Sequence, residues 1–316
     1  EEARTRHGLQ VKLSWLEKLG RWQDALHVYE RSSFDHDDRR RPSGGLGAHA
    51  PPHAEGSRGG EFAMGRMRCL SALSEWQQLA RVSEHVWPQL SARQQLEVAP
   101  VLAAVRWHCQ HYSAMATLTA LLDPKTYEGG FYRAVLAVHA GRFDEAQAAI
   151  DAARGALHPQ LAAHGVESYA RVHGSLVRAQ HLAEMEELIE YRRCQLLIAS
   201  ATAPAGGGGA SLAAAEHSAD DLQLARERCD CTRERWRQRL KSCGSDLRDW
   251  QTTVEVRAMA LQPHEQMEAW LKFAALCRKA GRLELCRLSL SKLLPAGLLG
   301  ATLPVHQLAA SSFDGL

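Results

Sequence analysis

The 316-residue sequence contains no asparagine, so it has no Asn-X-Ser/Thr glycosylation acceptor. No apolar run approaches the roughly 18 residues that a membrane-crossing helix needs. The opening residues, EEARTRHGLQ, have neither an initiator Met nor the apolar core of a signal peptide, so the beginning reads as a cut within something longer. Charge of one sign is also lacking: 38 Lys and Arg against 36 Asp and Glu leave a formal +2. There is no global field to draw in nucleic acid or an anionic membrane, and either would need a local patch. Catalytic signatures are missing as well, with no G-x-S-x-G, H-E-x-x-H, G-x-x-x-x-G-K-[ST], H-R-D or D-F-G. Gly206 to Gly209 have no strand before them and no lysine after, so they read as linker and not as a phosphate loop. The segment itself reads as non-enzymatic.

What is present is helix. In WLKFAALCRKAGRLELCRLSL, Trp270, Phe273, Ala274 and Cys277 fall at helical spacing, Gly281 breaks the helix, and Leu283, Leu285, Cys286 and Leu290 open a second apolar pattern. The same hairpin recurs in LSWLEKLGRWQDAL, CLSALSEWQQL, WHCQHYSAMATL and VLAVHAGRFDEAQAAI. Each has an apolar helix, a small or polar breaker, a hydrophobic residue two places later and a small or apolar residue three further on. The breakers Ser74, Gln110, Gly141 and Gln180 are spaced by about the 34 residues of a tetratricopeptide-type repeat. The spacing predicts an all-α, tetratricopeptide/HEAT-like helical-repeat solenoid, and 45% hydrophobic content supports a sizeable core.

Composition divides the chain. Residues 1–198 read as N-terminal helical repeats interrupted at 31–60 by an Arg-, His-, Gly- and Pro-rich flexible insertion. Residues 199–220 read as an Ala/Gly-rich linker, 221–294 as C-terminal repeats and 295–316 as an irregular tail. Ser91 after Pro88 marks a helix start, DPKTYEGG a turn, and Leu161 to Val177 and Leu182 to Leu197 a further helix pair. The acidic face of the latter (Glu184, Glu186, Glu187, Glu190) reads as solvated.

Eight cysteines, mostly placed singly on apolar faces (Cys69, Cys109, Cys277, Cys286), read as unbridged buried thiols of a reducing compartment, with the cytosol as default. Cys229, Cys231 and Cys243 form the one cluster. They lack the paired C-x2-C units and fourth ligand of a structural zinc site, so no metal is expected there. His36, His49 and His53 lie in the first insertion and read as loop histidines. Lys272 and Lys279, seven apart, fall on nearly the same helix face with Arg278, Arg282 and Lys292 nearby. Spacing alone leaves open whether this is a solvated face or part of a polyanion pocket.

The segments LEKLGRWQDAL, MGRMRCLSALSEWQQL, GGFYRAVLAVHAGRF, VESYARVHGSLVRAQHLAEMEELIEY and AWLKFAALCRKAGRL resemble, in order and spacing, the FAT region of target-of-rapamycin (TOR) serine/threonine kinases, members of the PI3K-related kinase family. The resemblance implies a non-catalytic solenoid that clamps a C-terminal kinase domain of the same parent chain in nutrient-responsive TOR signalling. It implies Raptor-type and LST8-type partners, with no nucleic acid and no transmembrane segment, and a cytoplasmic location at the periphery of endomembranes. Catalytic residues, ATP and Mg would belong to the kinase domain beyond Leu316. In W-L-K-x-A-x-L-C-x-K-x-G-R the family places two lysines that bind inositol hexakisphosphate, and here these are Lys272 and Lys279. An arginine expected upstream is Ser245, and the remaining pocket residues would lie C-terminal to this chain. The tail AGLLGATLPVHQLAASSFDGL departs from the family's continuing helices, as a truncated or misassembled reading frame would. The alternative is a free-standing tetratricopeptide-like adaptor, for which a repeated polar register along a concave groove is expected and none is found. A hydrolase or transferase has no motif behind it.

Overall fold

In a computed structural model the described residues are 13–39, 52–164, 169–202 and 218–294, and among them every regular element is helical. The chain divides into two compact units, residues 1–182 and 183–316.

The N-terminal unit is a run of antiparallel hairpins. α1 (Leu13–Lys18) pairs with α2 (Trp22–Arg39), α3 (Pro52–Ala72) with α4 (Trp76–Val86), α5 (Ala92–His108) with α6 (Tyr112–Ala120), and α7 (Tyr127–His139) with α8 (Phe143–His164). The first helices of successive hairpins also touch, α3 against α5 and α5 against α7, which is the stacking of a helical-repeat solenoid. Each reversal is made the same way. Gly20, Ser74, Gln110 and Gly141 take φ between 57° and 73°, and the next residue's N–H donates back five positions, as in Glu75 to Leu70 and Arg142 to Ala137. Two residues past each left-handed residue comes Trp22, Trp76, Tyr112 or Phe143, and three further on a buried Ala25, Leu79, Met115 or Ala146. The repeated pattern in the sequence is therefore a repeated cap. Its aromatic residues serve the packing between hairpins: Trp76 stacks on His108 with ring centroids 4.3 Å apart, and Tyr112 on His139 at 3.6 Å.

The expected starts are present. Ser91 caps α5 in a reciprocal capping box with Gln94. Thr126 accepts from the Gly129 N–H at 3.1 Å and starts α7 at Tyr127, four residues inside the expected turn. Gly130 is set against α8 so closely that a Cβ there would lie 2.7 Å from the Ala153 Cβ and 2.8 Å from the Ala149 carbonyl oxygen. Backbone proximity is what that glycine supplies.

Several expectations change. The break expected at Gln180 is absent: α9 (Tyr169–Thr202) is continuous through it, because Arg178 to Leu182 contain no Gly or Pro and no residue there turns left-handed. α8 runs on to His164, with Pro159 inside it, so the helix expected to start at Leu161 has its first residues in α8. The insertion at 31–60 is narrower than its composition suggests, since α2 continues to Arg39 and α3 begins at Pro52, where the missing N–H of proline costs no intrahelical bond. Residues 40–51 lie outside the described residues. The Ala/Gly-rich stretch is likewise entered from both sides, by α9 up to Thr202 and by α10 (Ala219–Lys241), whose Ser218 and Asp221 form a capping box. Residues 203–217 and the tail 295–316 lie outside the described residues.

The C-terminal unit holds α9 from Ala183 onward, α10, α11 (Leu247–Ala258), a 3-10 turn (Pro263–Gln266), α12 (Met267–Lys279) and α13 (Leu283–Ser291). Here the repeat reappears once, at α12/α13, where Gly281 has φ +73° and the Arg282 N–H donates to the Cys277 carbonyl. Trp236, Trp250, Trp270 and Phe273 form its fully buried bulk.

The caps give a matched pair of tests. A Cβ on Gly141 would meet nothing within 4 Å, so the cost of Gly141→Val is conformational, about 1–2 kcal/mol. Gln110 holds the same backbone state at φ 59° with an exposed side chain, so Gln110→Gly should stabilise by about 1 kcal/mol. Denaturant titration reads both, and equal effects of the two changes would refute the shared-cap account.

Candidate functional site

Lys272 and Lys279 are both exposed on α12, and with Arg278, Ala275 and Leu276 they line an open hollow of about 550 Å³ along one side of that helix. The helix is held in register by Trp270, Phe273, Ala274 and Cys277, which turn inward. Among the described residues none of these three cations makes an ion pair; Lys272 instead lies 5.3 Å from the centroid of the Trp250 ring. Their charge is therefore not neutralised by an ion pair with any described residue. A polyphosphate fits such a donor set, since each ammonium and guanidinium presents N–H groups to phosphate oxygens.

The other nearby cations divide differently. Lys292 is turned away, onto the buried Glu255 carboxylate and over the Trp270 ring at 4.5 Å. Burial pushes the Glu255 carboxyl up, against the pull of Lys292. Arg282 occupies the residue before α13, with no capping bond from its side chain, and does not line the hollow. Ser245, standing where an arginine was expected, is exposed between α10 and α11. Arg278, which spacing alone put beside the hollow, proves to be part of its wall.

The acidic face of α9 is the largest correction. Glu184 and Arg257 have side chains only 1% and 3% exposed. Arg257 donates from Nε to Glu184 Oε2 at 2.8 Å, from Nη2 to Oε1 at 2.7 Å, and from Nη1 to the Trp236 carbonyl at 2.9 Å. Arg239 bridges Glu184 and Glu187 with bonds of 2.9 Å, and the Trp236 indole N–H donates to Glu187 at 2.7 Å. Burial alone would raise the Glu187 carboxyl, but hydrogen bonds from Arg239 and Trp236 outweigh it and hold it below the usual carboxylate range. This network joins α9 to α10 and α11, which is why residues from Ala183 onward belong with the C-terminal unit. Glu184 and Glu187 stand three apart, as do Trp236 and Arg239, so the complementary faces were present in the sequence.

No group of three or more His, Cys, Asp or Glu side chains suited to a metal occurs among the described residues. Cys229 is buried, its thiol pushed up to about 11 by burial and by the neighbouring Cys194, whereas Cys231 is exposed and Cys243 half-buried. The eight cysteines form no disulfide; Cys69 and Cys277 are buried, Cys109 and Cys286 only partly. His36, His49 and His53 have no described side chain.

The architecture defines a helical-repeat segment that carries a cation-lined face on α12. The FAT domain model matches residues 99–305, and the chain belongs to the FAT-domain family. It is 33% identical over 304 residues to the serine/threonine-protein kinase TOR of Arabidopsis thaliana, covering 91% of this chain and 11% of that protein. It is 32% identical over 287 residues to the serine/threonine-protein kinase mTor of Drosophila melanogaster, covering 90% and 10%, and 30% identical over 294 residues to TOR2 of Saccharomyces cerevisiae, covering 93% and 10%. The chain thus spans about a tenth of the length of these relatives, and the resemblance to the FAT region of TOR kinases is borne out. No helix among the described residues is long and apolar enough to cross a membrane.

Two measurements check the network. Arg257→Met leaves a buried carboxylate short of its main partner and should cost about 3–5 kcal/mol, whereas Glu184→Leu with Arg257→Met should recover most of that loss. The pH dependence has a definite sign. Because Glu187 is held low in the folded state, its contribution is full above the unfolded value near 4.3 and is lost as pH falls through the folded one. Thermal melting between pH 6 and about 3 should fall less steeply in Glu187→Gln than in the parent.

Proposed function

We propose that this chain is the non-catalytic FAT scaffold of a TOR-type serine/threonine kinase, clamping the kinase domain of the same parent chain and contributing Lys272 and Lys279 to an inositol hexakisphosphate site. The scaffold reading rests on family membership and on the helical-repeat build. The site reading is carried by one observation: Lys272, Arg278 and Lys279 border one open hollow on α12 and, among the described residues, none of them makes an ion pair. On this reading Arg278 offsets the cation lost at Ser245. Three cations from one helix make only part of a shell around a ligand bearing six phosphates, so the rest would come from the parent chain. The polyphosphate would then tie α12 to that further segment by neutralising both, a structural role without chemistry of its own.

The same reading puts the parent in nutrient-responsive growth signalling, with Raptor-type and LST8-type subunits as partners, in the cytoplasm at the surface of endomembranes. ATP and Mg would act only in the kinase domain. A free-standing peptide-binding adaptor finds no favouring observation in the relatives, all far longer than this chain.

The decisive variant is Lys272→Glu with Lys279→Glu in the full parent kinase. Inositol hexakisphosphate released by acid from the purified protein should drop to background, and the melting temperature should fall. Unchanged ligand content with unchanged melting would sink the site assignment.

A further inference from the structure

Two thiols meet where α9 faces α10. Cys229 of α10 is buried, and its Sγ lies 4.0 Å from the Tyr191 carbonyl oxygen of α9, three residues before Cys194. Its thiol is hydrogen-bonded to that of Cys194, and both cysteines are unbridged. Cys194 is half-buried and, with Glu190, Arg228, Cys231 and Arg235, lines a separate hollow of about 230 Å³ in which Cys229 has no share. One thiol of the pair is thus open to a solute and the other stands behind it.

We propose that this hollow is a thiol–disulfide exchange site for an anionic low-molecular-weight disulfide of the glutathione type, with Cys194 as the attacking thiol and Cys229 as the resolving one. The inference is independent of the polyphosphate reading. Access sets the order of events. Burial and the neighbouring Cys194 push the Cys229 thiol up to about 11, so it stays protonated at neutral pH and is not the thiol that meets the reagent. Cys194 releases its proton to solvent and attacks one sulfur of the reagent; an S–S bond forms at Cys194, the reagent's own breaks, and one thiolate leaves with the electron pair. Cys229 then loses its proton to water and attacks the Cys194 sulfur, which expels the second thiolate. The protein dithiol is oxidised by two electrons and the reagent is reduced to two thiols. Charge selects the reagent. Glu190 pairs with Arg193 and Arg235 with Glu187, but Arg228 makes no ion pair among the described residues. Two guanidiniums against one already paired carboxylate leave the hollow positive, which favours a carboxylate-bearing disulfide over a neutral one. In a reducing compartment such a bridge is transient, the form in which cytosolic disulfides report redox state. Cys194 stands two helical turns beyond Glu187, so the bridge would lock the α9–α10 register that Glu187 and Arg239 already set.

The test treats the reduced full parent chain with glutathione disulfide and maps its peptides by mass spectrometry without reduction. A Cys194–Cys229 bridge should form, and dithiothreitol should reverse it. In Cys229→Ser a glutathione adduct should instead accumulate on Cys194, and in Cys194→Ser the Cys229 thiol should stay free. Arg228→Glu, at an exposed position, should slow bridging by glutathione disulfide about tenfold while leaving bridging by uncharged bis(hydroxyethyl) disulfide at the parental rate. Absence of the bridge, a bridge from Cys194 to Cys231 in its place, an adduct on Cys229 in Cys194→Ser, or an Arg228→Glu variant that reacts with both reagents at parental rates would overturn the proposal.

Discussion

At Gly20, Ser74, Gln110, Gly141 and Gly281 the chain turns into a left-handed backbone state and closes the preceding helix with the same backward hydrogen bond from the following N–H. That turn fixes the angle at which the second helix leaves, so it decides which residues of the two helices meet. Everything repetitive in the structure depends on it. The residue two places on must be large because it starts a helix lying across the next hairpin, and the residue five places on must be small or apolar because it faces the paired helix. Glycine holds the state without strain, while Ser74 and Gln110 hold it at a conformational cost that packing around Trp76 and Tyr112 offsets.

The same constraint explains what was legible in the sequence. A cap that recurs in fixed register with an aromatic and a buried small residue leaves a pattern that needs no structure to be seen, so the hairpins at Leu13 to Leu26, Cys69 to Leu79, Trp107 to Leu118 and Val135 to Ile150 could be read directly. Gln180 fitted the period but not the physics, because nothing beside it favours a left-handed turn and its neighbours propagate helix. Spacing is evidence for a repeat only where the residues can also make the turn. Composition erred the other way at 31–60, where Gly and Pro suggested loop throughout although a proline at a first helical position is compatible with α3.

The acidic face of α9 was misread because a helix taken alone cannot reveal whether its charges meet water or guanidinium groups. Glu184, Glu187 and Glu190 look alike in the sequence, yet Glu184 is enclosed by Arg257 and Arg239 while Glu190 pairs with Arg193 on the surface. The difference lies in residues more than fifty positions away. Such a buried pair contributes little net stability over an apolar replacement, since desolvation of both ions offsets their attraction. What it does impose is register: a slip of α9 along α10 would leave a carboxylate buried without its partner, a far larger penalty than misplacing one leucine for another. An unequivocal axial setting is what a segment carrying no cap of the repeated kind requires.

Those two devices divide the labour in a way that bears on the cations of α12. In the hairpins, backbone geometry determines position and side chains are left to fill space. Around α9, α10 and α11, buried charged side chains determine position: Glu184, Glu187, Arg239 and Arg257 satisfy one another. Lys272, Arg278 and Lys279 differ from these, being cations without an ion pair among the described residues on a helix whose opposite face is fully buried. Glu268 stands four residues before Lys272, but Arg278 and Lys279 have no acid at three- or four-residue spacing, unlike Arg287, which Glu284 pairs one helix later. Neither Ala275 nor Leu276 can supply that compensation. On the proposed reading, the repulsion of three exposed cations along two turns is what an anion bound there would relieve, beyond the screening that water and salt already give.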